Sequence, residues 1–389
     1  MAACPHRTLP APRAMIPVGR RFVAEGSIVV IGAGFAGAAT AWWLRRAGAD
    51  RVIILERETV PGAHASGKNA GIARQPVLHA STALLTARGT AFLRRPPDGF
   101  CEGSLFNETG GYLATADPKD RRLDLLHRAA LAAGVYTYEA ERSEVVERLP
   151  LLDGAPFVRA LASPTDGVVD IHLLLTSYLR GISLRTGTLV EGFRRKGTRI
   201  TALETSRGLL EASAVVNAAG AWAADVAASA GAAPIRIEPR RRHLLHTGPL
   251  PGLSAAMPYA WLYDPEVYFR AESGGLLLSP CDEDHQPPGS PATHPDASLW
   301  LARRLKTAAP RMVGLPVARA WAELRCFSPD GAFVVGRDPN LSNFYWASGL
   351  AGHGMTASSA VGELAASLVL GSDPPIDPAP YDPGRFAAG

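Results

Sequence analysis

Three glycines at positions 32, 34 and 37, spaced G-x-G-x-x-G, are the residues whose type and spacing most directly specify chemistry. The first permits a tight turn and the second lets the main chain approach a pyrophosphate. The third lets the following helix pack closely on the preceding strand. The start of that helix, with Phe35 and Ala36 in its first turn, then offers N–H groups and a positive dipole end to an anion. Glu56, followed by Arg57, stands about 20 residues further on, where an acid accepts hydrogen bonds from an adenosine ribose and repels a 2′-phosphate. The motif therefore specifies a dinucleotide, and by itself it suits NAD and FAD alike.

Three other stretches read as close backbone approaches to the same ligand. Ala65-Ser66-Gly67-Lys68-Asn69-Ala70-Gly71 is too small and flexible to form core, so it is expected as a loop beside the ligand. Val215 to Trp222 is an apolar strand that ends in Ala218, Ala219 and Gly220 before turning into a helix. Gly349 to Met355 is a glycine-rich cradle, with Gly349, Gly352, His353, Gly354 and Met355 opening a last helix whose apolar face is Val361, Leu364, Ala365 and Leu368. The basic run Arg240 to Arg242 reads as a local site or a solvated edge.

The elements that must position these residues follow from periodicity and breakers. Strands at 28–31 and 52–55 flank a helix that runs to about Ala47. Helices are expected over 77–95, over 117–133 opened by Asp117-Pro118, over 143–149 and, as a long amphipathic element, over 171–185. Strands follow near 188–194, 198–205 and 209–217, then a β-rich block at 236–283, a helix at 297–309 and strands within 318–348. Such alternation is the signature of an α/β protein.

Composition narrows the class. At 389 residues, with 47% hydrophobic content, the chain is long enough for two or three lobes around a large core. A formal charge of +4, with arginines scattered among acids, excludes a nucleic-acid-binding face. Four cysteines without a C-x-x-C spacing provide neither a disulfide framework nor a metal site, and they fit a reducing cytoplasm. No stretch approaches the ~18 consecutive apolar residues of a membrane span, so an integral membrane protein is not expected. Residues 1–26 have neither an apolar h-region nor a helical period and read as a disordered tail, with Met15 as an alternative start.

Taken together, the glycine motif, SGKNAG at 66–71, VVNAAGAW at 215–222 and GLAGHGM at 349–355 resemble the FAD-dependent D-amino-acid oxidase superfamily, which includes glycine oxidase, sarcosine oxidase and D-amino-acid dehydrogenases. The stretches PPDGFCE at 96–102, VVNAAGAWAADVA at 215–227 and AWAELRCFSPDG at 320–331 look similar to D-arginine dehydrogenase-like members. The resemblance implies a Rossmann-like FAD domain (27–107, 164–234 and 323–372) interleaved with a mixed-sheet α+β substrate domain (108–163 and 235–322), followed by a C-terminal tail at 373–389.

It also implies site residues and roles. Arg325 occupies the W-x-x-L-R position that contacts the substrate carboxylate in glycine oxidase-like relatives, where a planar guanidinium grips a carboxylate in two places; a structural salt bridge is the alternative. Tyr268 matches a tyrosine whose hydroxyl shares that carboxylate, and Arg241 and Arg242 fall where relatives carry arginines on the substrate side. Ser66, Lys68, Asn69, Ala70 and Gly71 are expected to touch pyrophosphate or flavin, chiefly through backbone. The helix opened by Gly354-Met355, with His353, is expected to face the flavin edge that becomes negative on reduction.

Departures from the family pattern carry information too. The positions of covalent flavin attachment in relatives fall on Glu323 and Lys68, which implies non-covalent FAD. Ile72 stands where arginine-specific relatives have a histidine, which makes D-arginine itself a poor candidate. The lysine thought to activate oxygen in sarcosine oxidase falls on Leu277, which tilts the expectation from oxidase toward dehydrogenase. The expected activity is oxidation of the CH–NH bond of a D-amino acid or N-substituted glycine to an imine that hydrolyses to a 2-oxo acid. The alternatives are a 2-hydroxy-acid or glycerol-phosphate dehydrogenase, or a flavoprotein subunit active only in a hetero-oligomer. The electron acceptor (quinone, electron carrier or oxygen) and the choice between homo- and hetero-oligomer stay open.

Overall fold

The structure is a computed structural model and describes residues 26–386. The expected disordered tail and the alternative start at Met15 lie outside the described residues, apart from Gly26. The chain folds as an α/β protein around two large sheets and a small three-stranded one.

The first sheet has a parallel centre. Ser27–Ile31 lies between Gly208–Asn217 and Val52–Leu55, the latter pairs with Ser183–Arg185, and Phe344–Ser348 joins Gly208–Asn217. Strands buried on both faces must be apolar throughout, and Ile28 to Ile31 are all buried. Gly208–Asn217 changes character along its length. Its first half is largely exposed in an antiparallel hairpin with Arg199–Thr205, and its second half is wholly buried among parallel neighbours. The helix Phe35–Arg46 packs on the last helix, Ser358–Leu370. Gly37 makes the turn before it possible, because a Cβ there would sit 2.0 Å from the Gly32 carbonyl oxygen.

The second sheet is mixed, in the order Arg319–Phe327, Glu238–His246, Gly275–Ser279, Glu266–Glu272, Tyr259–Tyr263, Gly111–Thr115, Arg159–Ser163 and Tyr138–Glu139. Period-two alternation divides its residues between two faces. Leu245, Ala260, Leu262, Val267, Phe269, Leu276 and Leu278 pack with Leu301 and Leu305 of the helix Ala297–Ala308. Leu244, Tyr259, Trp261, Tyr268 and Leu277 form a cluster on the other face, toward the first sheet. Among the described residues, no helix is long and apolar enough to cross a membrane, and Cys101, Cys281 and Cys326 are free thiols.

Several expected elements differ. The helix expected over 171–185 ends at Leu179, because Gly181 turns the chain at φ +72° and Ser183–Arg185 becomes an edge strand. The helix expected to open at Asp117-Pro118 begins at Arg122. Asp117 and Asp120 accept bonds from the N–H groups of Lys119 and Arg122 in preceding turns. The expected return to the nucleotide-binding part at 323 falls inside Arg319–Phe327, which belongs to the second sheet, so the chain rejoins the first sheet only at Val334. The C-terminal segment is not loose: Tyr381 is buried and donates to the Ser81 carbonyl, and Arg385 binds Asp330.

Candidate functional site

The C-terminal ends of the parallel strands open onto one elongated cleft. Its larger compartment, of ≈ 380 Å³, is lined by Gly32, Gly34, Glu56, Arg57, Ala218, Ala219, Gly220 and Trp222. The second, of ≈ 220 Å³, lies against the substrate-side sheet and is lined by Phe35, Lys68, Asn69, Ala70, Gly71, Arg242, Tyr268, Arg325, Gly349 and the run from Gly352 to Met355. Gly34, Ser66, Ala218, Gly220 and Glu323 belong to both walls, so the compartments meet.

In the larger compartment Glu56 is buried and has a double task. Its Oε2 accepts from the Ala33 N–H at 2.8 Å and its Oε1 from the Glu58 N–H at 2.9 Å, so it braces the glycine turn and its own strand end. The Arg57 guanidinium lies 4.4 Å from the Trp222 ring centre, and His64 packs against the same indole. The Phe35 N–H at the helix start donates to Ser66 Oγ, which docks the 65–71 loop on the glycine turn. Asn69 turns its side chain inward to that loop, donating to the carbonyls of Ala65 and Ser66 and accepting from the Gly71 N–H.

Lys68 Nζ and Glu323 Oε1 form an ion pair at 2.6 Å. The other oxygen, Glu323 Oε2, is buried without a hydrogen-bond partner where the two compartments meet. Sequence reasoning expected Lys68 to touch the cofactor and saw Glu323 only as a departure from a pattern. That a lysine on a loop and a glutamate 255 positions later would pair has no local signature.

Strand alternation decides which arginines reach the cleft. Arg242 and Leu244 share a face, and across the ladder Arg242 pairs with Glu323 and Arg240 with Arg325. Arg241, expected on the substrate side, points the opposite way. Its Nη2 binds Asp284 at 2.7 Å and its guanidinium lies 5.8 Å from the Trp300 ring, so the structure removes it from the cleft. Arg242 is 5% exposed; its Nε donates to the Asp282 carbonyl and its Nη2 binds Glu283 at 2.5 Å, while Nη1 is buried without a partner. Arg325 lies 4.0 Å from the same Glu283 carboxylate. Burial and the adjacent Arg242 cation both lower its pKa from the usual guanidinium value, so an anion arriving there would relieve both effects.

Tyr268 is buried and stacked on Trp261 with ring centres 4.3 Å apart. Gly352 is demanded by Arg325: a Cβ there would come within 2.8 Å of the guanidinium Nε, and the backbone holds φ +82°. His353 is kept neutral, its pKa driven well below the ordinary imidazole range by burial and then by the Arg74 and Arg325 cations. The final helix, expected to open at Gly354-Met355, begins at Ser358; a turn closed by the Ala357 N–H on the His353 carbonyl precedes it. Ala36 remains on the wall beside the glycine turn.

Arg74, Trp261 and Arg270 were not singled out in the sequence. Arg270 lies beneath the loop, donating to the Ala70 carbonyl and pairing with Glu272. The alternation of Tyr268 with Arg270 on one strand face was the available signal.

A family model described as FAD dependent oxidoreductase matches residues 27–368. The 4-methylaminobutanoate oxidase (formaldehyde-forming) of Paenarthrobacter nicotinovorans is 25% identical over 92% of this chain, but the match covers 45% of the relative, so the chain spans under half its length. Hydrogen cyanide synthase subunit HcnC of Pseudomonas aeruginosa is 28% identical over 72% of this chain and 68% of the relative. The L-proline dehydrogenase structure from P. horikoshii superposes with a TM-score of 0.84, covering 93% of this chain and 98% of that one at 24% identity, which is a likeness of fold.

Proposed function

Since the chain belongs to the FAD-dependent oxidoreductase family, whose model spans residues 27–368, we propose that it oxidises the CH–NH bond of an amino acid, either a D-amino acid or an N-substituted glycine. The single observation that carries this reading is the adjacent pair of Arg325, partly buried, and Arg242, buried, beside the cleft. Two crowded guanidinium groups sharing one carboxylate are built for a further planar anion, and an α-carboxylate is the anion an amino acid brings.

FAD is the cofactor, and the cleft fits it. The glycine turn, Glu56 and Trp222 would hold the adenosine end, the 65–71 loop would hold the middle, and the 349–355 run would hold the flavin end. Glu323 Oε2, without a hydrogen bond and 3.9 Å from His64 Nδ1, offers a buried acceptor at the junction. When bound, FAD accepts the hydride that leaves the substrate Cα.

The chain's own residues bind and orient. Arg325 and Arg242 fix the carboxylate, and Tyr268, whose ring is held by Trp261, supplies a hydroxyl beside them. Neutral His353 adds no cation of its own at neutral pH, so it can share a hydrogen bond without repelling the amine. Fixing Cα in this way is the main service a protein gives to hydride transfer.

An anaerobic panel tests the reading. FAD-loaded protein is mixed with D-amino acids, N-substituted glycines, proline analogues and 2-hydroxy acids, and the oxidised-flavin absorbance is followed. Bleaching by members of the amine groups is expected. Bleaching by 2-hydroxy acids alone would replace this reading with hydroxy-acid oxidation. The assay starts with the single chain, and turnover that appears only after another subunit is added would favour the hetero-oligomer.

A further inference from the structure

The substrate-side compartment contains a third guanidinium that carboxylate gripping by Arg325 and Arg242 does not use. Arg74 follows the short strand Ile72–Ala73 and lies over Trp261, its guanidinium carbon 4.0 Å from the ring centre. It lines the same cavity as Arg242, Arg325 and Tyr268. Its Nε is buried without a hydrogen-bond partner, and among the described residues no carboxylate lies within ion-pair distance of it.

The other cations of the cavity differ in this respect. Arg242 and Arg325 share Glu283, and Lys68 is bound to Glu323. Around Arg74 are the neutral indole of Trp261, the neutral His353 and the phenols of Tyr259 and Tyr263. A cation–π contact compensates part of the cost of partly burying the charge but gives the buried Nε–H no acceptor. Asp166, the acid bonded to Tyr259, is already engaged by that hydroxyl and by Gln75.

Position adds the second observation. In the substrate-side sheet, Trp261 is four strands away from the strand that bears Arg325. At about 4.8 Å per strand this is roughly 19 Å of backbone separation, from which both long side chains reach inward. The two cations thus approach the cavity from different ends of one sheet face, with Tyr268 and Leu244 on the floor between them.

Resting on the amino-acid reading above, we infer that the substrate carries a second carboxylate and that Arg74 binds it. The substrate class is an amine flanked by two acids, such as an N-carboxymethyl amino acid or a D-amino dicarboxylate. A basic side chain would meet Arg74 as a like charge, which gives a physical reason against D-arginine.

Non-oxidisable acids provide a test that does not depend on turnover. The FAD-loaded protein is titrated with succinate and glutarate against butyrate and pentanoate, reading the flavin absorbance perturbation. At least one dicarboxylate is expected to bind about ten- to a hundredfold tighter than its monocarboxylate match, the range of a charge-assisted contact. In Arg74→Gln, checked for normal FAD content, that ratio should collapse toward one, and Arg74→Lys should restore part of it. Equal binding of mono- and dicarboxylates by the wild type, or an unchanged ratio in Arg74→Gln, overturns the assignment.

The oxidation assay with iminodiacetate and D-glutamate against sarcosine, D-alanine and D-arginine separates the two claims. Tight dicarboxylate binding with no bleaching by any amine would remove amine oxidation and leave the Arg74 site standing. Bleaching by sarcosine, D-alanine or D-arginine in preference to the dicarboxylates would leave amine oxidation and remove the second-acid assignment.

Discussion

At the scale of single residues, the carboxylate of Glu56 was legible as a ribose acceptor from its place after the second strand, but its bonds to the Ala33 and Glu58 N–H groups were not, because both partners are backbone. The substitution Glu56→Gln therefore acts on two quantities: it sets an amide NH₂ against one of those donors and weakens the ribose contact. FAD affinity by titration is expected to fall at least about tenfold, and stability of the FAD-free protein by urea unfolding to fall by about 1–3 kcal/mol. Normal FAD affinity would remove Glu56 from the nucleotide site. The ion pair of Lys68 with Glu323 joins the two positions at which the family resemblance places covalent flavin attachment in some members, and neither side chain is a thiol or imidazole. Acid precipitation is accordingly expected to leave all flavin in the supernatant; a yellow protein pellet would contradict non-covalent binding. Arg241 and Arg242 were indistinguishable as a basic run, although Leu244, two residues beyond Arg242, already marked the inward parity. Arg74 had no signal at all, since one arginine after a two-residue strand becomes significant only once Trp261, far along the chain, is folded beneath it.

At the scale of elements, the strand, glycine turn, helix and strand of residues 27–55 were legible almost to the residue, because each local signal agreed with the next. The stretch 171–185 was not. Ile182 continues the apolar period of the helix before it, but Gly181 breaks the helix and that apolar residue packs against the first sheet's core instead. The glycine cradle shows how an element serves the site: the Ala351 N–H bonds the Cys326 carbonyl, so the 349–355 run is tied to the strand that bears Arg325. In Gly352→Ala the new methyl would displace that guanidinium and strain the backbone at φ +82°. The apparent KM for substrate is expected to rise by roughly ten- to a hundredfold with FAD content near normal. Loss of FAD with an unchanged KM would show that the run serves the cofactor alone.

At the scale of the whole molecule, Asp166 links the substrate-side sheet to the small three-stranded sheet through buried bonds. Its carboxylate accepts from Tyr259 on the substrate-side sheet and from Gln75 beside the small sheet. Burial, opposed by those hydrogen bonds, raises its pKa from 3.8 to about 6. A raised carboxyl pKa favours the folded state when protonated, so its contribution is fully present below about pH 4 and is lost as the pH rises through about 6. Relative to Asp166→Asn, the wild type is expected to lose stability on the order of 3 kcal/mol between those pH values. Urea unfolding at a series of pH values reads this directly, and parallel profiles for the two proteins would exclude the titration. The two-sheet arrangement also explains why the boundary near 323 was unreadable, as strand 319–327 is continuous across it and its affiliation is set by pairing with Glu238–His246. That pairing places Arg325 beside the cofactor cleft, and the central claim is that this cation makes the enzyme an oxidiser of amino acids rather than of amines. The most direct measurement is the anaerobic rate of flavin bleaching by an amino acid found active and by its decarboxylated amine, in the wild type and in Arg325→Ala. The wild type is expected to prefer the acid by about two to three decades in kcat/KM, and Arg325→Ala, still holding FAD, to lose most of that preference. Equal rates with acid and amine in the wild type, or an undiminished preference in Arg325→Ala, would contradict it.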